Sequence, residues 1–99
     1  MRLYRITGQS MAPSLREGAR VFVTRWGRKR VGDVVVLRHP SRQTIHTVKR
    51  IVQRLDTQFY VEGDNINAST DGRHFGRVKA EDIVGKVLFQ YHPTFRWYL

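Results

Sequence analysis

"TIHTVKRIVQRL", residues 44–55, admits two readings, and the fold class depends on which one holds. Val48, Ile51, Val52 and Leu55 recur at helical spacing, yet the run is rich in the β-branched residues that favour strands. As a strand it places Lys49 on the same face as Ile45 and Ile51. An ammonium on that apolar face would be poorly solvated, and desolvation disfavours the charged form. This is the physical requirement for a lysine that works as a base near neutral pH.

On both sides of this run the chain reads as strands. "RLYRIT" (2–7), "ARVFVT" (19–24), "DVVVLRH" (33–39), "FYVEG" (59–63) and "DIVGKVLFQY" (82–91) are rich in Val, Ile, Phe and Tyr, and Gly, Pro, Asp, Asn or Ser usually separates them. The expected fold is mostly β with little helix. With 99 residues and 40% hydrophobic content, the chain has enough apolar material for one modest core. No repeat, low-complexity tract or linker-like stretch divides it, so a single domain over 1–99 is expected.

Composition narrows the chemistry. The formal charge of +10 favours anionic partners such as nucleic acid, a lipid surface or an acidic polypeptide, without choosing among them. The absence of cysteine removes disulfides, thiolate zinc sites and cysteine nucleophiles together, so any nucleophile is an oxygen or an amine. No window approaches the ~18 consecutive apolar residues of a membrane span, and "MRLYRITGQ" has no apolar stretch fit for a signal peptide. The expected location is the cytoplasm. His39, His46, His74 and His92 are scattered without ligand spacing, so no metal and no cofactor are expected.

Two loops carry the polar groups that chemistry needs. In "GQSMAPSL" (8–15) Ser10 lies between Gln9 and Met11, bounded by Gly8 and Pro13. "VEGDNINASTDGRHFGRV" (61–78) is a long polar loop with Gly63, Gly72 and Gly76 as turn points, and Asp64, Asn65, Ser69, Asp71 and Arg73 available to hydrogen-bond.

In order and spacing, "SMAPSL", "VGDVVVLRHP", "VKRIV" and "EGDNINASTDGRHFG" resemble the boxes of the type I signal peptidase family, whose relatives include the LexA-type self-cleaving repressors. The resemblance runs from about Ile6 to Leu88 and implies a catalytic domain of coiled antiparallel β-sheets. Within the family it is nearest to the nickel-type superoxide dismutase maturation proteases, which share the "VEGDN-x-x-AST-D" wording and lack a membrane anchor. Carried over by position, Ser10 is the nucleophile and Lys49 the general base, a Ser-Lys variant of the serine hydrolase arrangement. Ser69 matches the position that orients the lysine, and Asp71 and Arg73 match a structural pair. The Ser10 backbone N–H is one oxyanion donor; the serine that supplies a second in some relatives is Gly8 here. Met11 is a candidate wall of the substrate pocket.

Each of these residues also has a plain reading. Ser10 alone is a turn serine, Lys49 alone a surface lysine, and Ser69, Asp71 and Arg73 alone an Asx-type turn with a surface ion pair. His46, three residues before Lys49, is an alternative base. "RWGRKR" (25–30) reads equally as a solvated turn and as a docking loop, and "HPTFRWYL" (92–99) as a tail that packs on the sheet or meets lipid headgroups.

Three functions therefore compete. The first is a protease that removes an N-terminal propeptide, with the nickel superoxide dismutase precursor as substrate and partner. The second is an unanchored leader peptidase that touches membranes. The third is a small basic nucleic-acid-binding domain, in which residues 47–55 form a helix laying Lys49, Arg50 and Arg54 on phosphates.

Overall fold

The computed structural model describes residues 2–38, 46–65 and 76–98. They form a curled, wholly antiparallel sheet built from β1 (Arg2–Arg5), β2 (Arg20–Thr24), β3 (Val34–Arg38), β4 (His46–Leu55), β5 (Gln58–Glu62), β6 (Arg77–Lys79), β7 (Ile83–His92) and β8 (Arg96–Trp97). The strand order is β1-β2-β7-β3-β4-β5-β6, with β8 paired to the far end of β7. A single 3-10 turn, Ala80–Asp82, is the only helical element among the described residues. The mostly-β expectation holds.

Within this run, His46–Leu55 forms strand β4. Its neighbours decide this: β3 pairs along His46–Arg50 and β5 along Arg50–Leu55, so each half of the strand has a ladder partner and the two ladders meet at Arg50. A register shift between Ile51 and Gln53 bulges the strand at Val52, which is exposed although the helical spacing makes it a core position. The helix required by the nucleic-acid reading does not form.

β3 explains how one open sheet comes to curl. Val34, Val35, Val36 and Leu37 are all buried, the pattern of a strand covered on both faces. Val34 and Val36 join Ile6, Met11, Leu15, Val21, Val23 and Val87 in one core cluster. Val35 and Leu37 face the other way, into a cluster with Ile51, Phe59, Val61 and Val78. Each such side chain contributes about 1.5–3 kcal/mol on leaving water, so curling the sheet around β3 is worth far more than leaving either face wet.

β7 crosses β2 tightly. At Gly85 a Cβ would lie 2.7 Å from the Thr24 carbonyl oxygen and 2.7 Å from Val23 Cγ1, so only glycine fits there. No helix among the described residues is long and apolar enough to cross a membrane.

Candidate active site

The chain between β1 and β2 is a turn pinned at its base and from below. Ile6 donates to the Ala19 carbonyl and accepts from Gly18, both over 2.8 Å, which prolongs the β1–β2 pairing. Gln9 accepts from Ala12 over 3.1 Å and Met11 from Leu15 over 2.9 Å, so Ser10 sits within a tight turn. Met11, 1% exposed, and fully buried Leu15 anchor that turn in the core and leave Ser10 half-buried at its crest. Gly8 enters the turn at φ +82°, a conformation that side-chain-bearing residues rarely adopt, which accounts for glycine at this position.

Lys49 comes from the middle of β4, opposite Val35 and on the strand face it shares with Ile51. It is 4% exposed, as the strand reading of 44–55 requires. Ser10, Met11, Lys49, Tyr4, His46 and Val48 all help to line one cavity of about 280 Å³. The structure thus brings together Ser10, Lys49 and Met11, and it adds His46 at the rim, exposed and edge-on to Tyr4 with ring centroids 5.9 Å apart. Met11 is both core residue and cavity wall. Ser69, Asp71 and Arg73 lie outside the described residues.

A second buried lysine, Lys86, was not singled out by the sequence. Its Nζ donates to the Arg28 carbonyl over 3.0 Å and lies 3.8 Å from Asp33, which gives it a structural partner away from Ser10.

The residues after β5 tie the two halves of the site together. Arg50, beside Lys49, makes a forked contact with Asp64: Nε donates to Oδ1 over 2.9 Å and Nη2 to Oδ2 over 2.8 Å. Its Nη1 donates to the Gly32 carbonyl over 2.7 Å. Asn65, next along, donates its backbone N–H to the Ser10 carbonyl over 2.8 Å and its Nδ2 to the Gln9 carbonyl over 2.9 Å. A continuous path of charge-assisted and backbone hydrogen bonds therefore runs from the lysine strand to the serine turn.

Electrostatics follow from this clasp. Partial burial pushes the Asp64 carboxyl up, but hydrogen bonds from Arg50 and Ser14 and the nearby guanidinium outweigh that and hold it below the usual carboxylate range. Arg50 is raised by the same hydrogen bond to Asp64, against its own desolvation. Tyr98 donates its hydroxyl to the Ser14 carbonyl from the far side of the turn. Burial raises its phenol above the ordinary range, with Arg96 and Arg50 pulling the other way.

In the sequence Asp64 and Asn65 stand out only as polar groups of a long loop, and nothing there gives Arg50 a structural part. The one local signal was position: Arg50 adjoins the lysine, and Gly63-Asp64-Asn65 follows a strand.

The sequence pattern described as signal peptidase, peptidase S26, matches residues 1–53 and 55–92. The mitochondrial ATP-independent inner membrane protease subunit 1a of Arabidopsis thaliana is 31% identical over 115 aligned positions, covering 89% of this chain and 68% of that protein. Signal peptidase I of Bacillus caldolyticus is 59% identical over 34 residues, 34% of this chain and 19% of that protein. A probable signal peptidase I-1 of Synechocystis sp. is 40% identical over 42 residues, 42% of this chain and 21% of that protein. The matched segments thus span about two thirds of the plant protein's length and about a fifth of each bacterial one.

Proposed function

The chain belongs to the signal peptidase S26 family of serine peptidases, and we propose that Ser10 and Lys49 form its catalytic dyad. The observation that carries this reading is the cavity they share: a half-buried serine at the crest of a rigid turn and a lysine almost fully withdrawn from water.

In the proposed reaction the neutral Lys49 amine takes the proton from Ser10 Oγ as Oγ attacks the scissile carbonyl carbon. The resulting oxyanion is met by the Ser10 backbone N–H. The intermediate collapses, the C–N bond breaks, and the Lys49 ammonium returns the proton to the leaving amine. Water then attacks the acyl-serine ester with Lys49 again as base, which frees the new carboxyl terminus and restores the Ser10 hydroxyl. Gly8 carries no side chain to supply a second oxyanion donor.

The substrate in this reading is a pro-protein from which an N-terminal propeptide is removed, the nickel superoxide dismutase precursor. The wording of residues 61–71 supports that choice. Purified protein incubated with the precursor should give one cut at the propeptide junction by mass spectrometry, abolished in Ser10→Ala and in Lys49→Ala. Full-rate cutting by Lys49→Ala with loss in His46→Ala would transfer the role of base to His46.

A second reading, cleavage at a membrane surface, is favoured by one feature. Phe22, Phe89, Phe95 and Trp97 form a chain of ring contacts with centroids 5.0–5.6 Å apart. Leu3, Phe95 and Trp97 are 63%, 55% and 64% exposed. Aromatic rings beside arginines suit the headgroup region of a bilayer. Flotation of the protein with phosphatidylglycerol vesicles, lost in Trp97→Ala, would support it, and cleavage of a signal-peptide substrate but not of the superoxide dismutase precursor would select it.

A further inference from the structure

Arginines at the ends of β1 and β3 and just past β2, with β7 running between β2 and β3, converge on one cavity. Arg2 shares a face with Tyr4 on β1; Arg25 follows Val21 and Val23 just past β2; Arg38 follows Val34 and Val36 on β3. All three line one cavity of about 310 Å³ floored by Val23, Ile83 and Val84.

No carboxylate lines this cavity, and among the described residues none of the three arginines forms an ion pair. They are held by neutral groups instead. Arg2 Nη1 donates to the Tyr4 hydroxyl over 3.3 Å, the Arg25 guanidinium lies 5.4 Å from the centre of the Trp26 ring, and Arg38 Nη1 donates to the Glu81 carbonyl over 3.3 Å. Three like charges gathered over an apolar floor repel one another, and a bound anion relieves that repulsion.

The arginine cavity adjoins the Ser10–Lys49 cavity. Tyr4, which accepts from Arg2, lines the latter, and it is only two residues, about 7 Å of strand, from Arg2. His46, which lines the same cavity and packs on Tyr4, stands opposite Arg38 in the β3–β4 register. An extended polypeptide lying over Tyr4 and His46 would therefore reach both.

We propose that Arg2, Arg25 and Arg38 form a subsite for an acidic side chain of the substrate polypeptide, at a fixed position to one side of the scissile bond. The apolar floor accommodates the methylenes of Glu, and the planar guanidinium fork matches its carboxylate. A lipid phosphate is the less fitting occupant. Leu3 and Phe22 of the exposed aromatic surface alternate with Arg2 and Val23 along β1 and β2, and so point to the opposite face of the sheet. The subsite rests on the proteolytic reading for the identity of its ligand.

Two capped pentapeptides, Ac-Ala-Ala-Glu-Ala-Ala-NH2 and its Gln counterpart, test the proposal by amide NMR titration of the full chain. The Glu peptide should shift the amides of Val23, Ile83 and Val84 together with those of Ser10 and Val48. It should bind about tenfold more tightly than the Gln peptide, as charge-assisted hydrogen bonds predict. Arg25→Gln and Arg38→Gln should each reduce that ratio, and the double variant should bring it to about one.

Equal binding of the two peptides, no shift at Val23, Ile83 and Val84 with either, or shifts there only with phosphatidylglycerol vesicles would overturn it. Shifts confined to the arginine cavity, without Ser10 or Val48, would also overturn it as a substrate subsite. The same titration on Ser10→Ala separates the two readings. A retained Glu preference with no effect of Ser10→Ala on cleavage would remove the dyad and leave the subsite standing.

Discussion

Asn65 donates its backbone N–H to the carbonyl of Ser10 over 2.8 Å, so the segment after β5 grips the proposed nucleophile by its main chain. One residue earlier, Asp64 receives the fork of Arg50, the immediate neighbour of Lys49. Two proposed catalytic groups from distant parts of the chain are thus held by adjacent residues of a third segment. The spacing of the dyad depends on this clasp as much as on the strands.

Asn65→Ala removes the Nδ2 contact to Gln9 and keeps the backbone bond. Loss of that hydrogen bond is expected to cost about 1 kcal/mol in urea denaturation. Looser placement of the serine should lower kcat on the order of tenfold with little change in KM. A proportional rise in KM at unchanged kcat would assign Asn65 to substrate binding instead.

Asp64 carries an acid limb of stability. Its carboxyl is depressed in the folded protein, so the stability it contributes is present above the ordinary carboxylate range and is lost as pH falls through its lowered folded value. Asp64→Asn is expected to be less stable than wild type at pH 7 and to lose less further stability on acidification below about pH 4. Arg50→Lys should also be less stable than wild type at pH 7, since an ammonium cannot reproduce the forked contact. Urea midpoints measured from pH 2 to 7 for the three proteins check both statements.

Tyr98 does the same at the alkaline end. Its phenol is raised by burial, so its stabilising contribution is intact below about pH 10 and declines as pH rises through the raised folded value. Tyr98→Phe, which also loses the bond to Ser14, should cost about 1 kcal/mol at pH 7 and flatten the loss of stability above pH 10. The difference spectrum between wild type and Tyr98→Phe should show one tyrosine ionising above the ordinary range.

Gly85→Ala should be among the most damaging single methyl additions. The new Cβ meets the Thr24 carbonyl at 2.7 Å, and a backbone oxygen of a paired strand cannot step aside as the end of a flexible side chain can. A loss of about 1–3 kcal/mol is expected, read as a lower urea midpoint at unchanged m-value.

Much of this molecule is written locally. β-Branched and aromatic runs bounded by turn residues marked five strands to within a few residues of β1, β2, β3, β5 and β7. The short pairings at Arg77–Lys79 and Arg96–Trp97 left no such mark, because three and two residues carry too little pattern. Ser10 and Lys49 stand out in the sequence through the order of the family boxes, and the fold places both on one cavity. Residues 44–55 were not legible, since their apolar positions satisfy two periodicities at once. Only pairing with β3 and β5 buries Lys49 and Ile51 and exposes Val52.

The clasp likewise lay beyond local reading: Asn65 and Gln9 are 56 residues apart, and nothing in either neighbourhood names the other. Composition and alternation set which segments become strands, because those preferences act within a few bonds. Which strands meet, which lysine becomes dry and which loop holds the serine follow from long-range backbone pairing and shared burial, and these exist only once the sheet has curled.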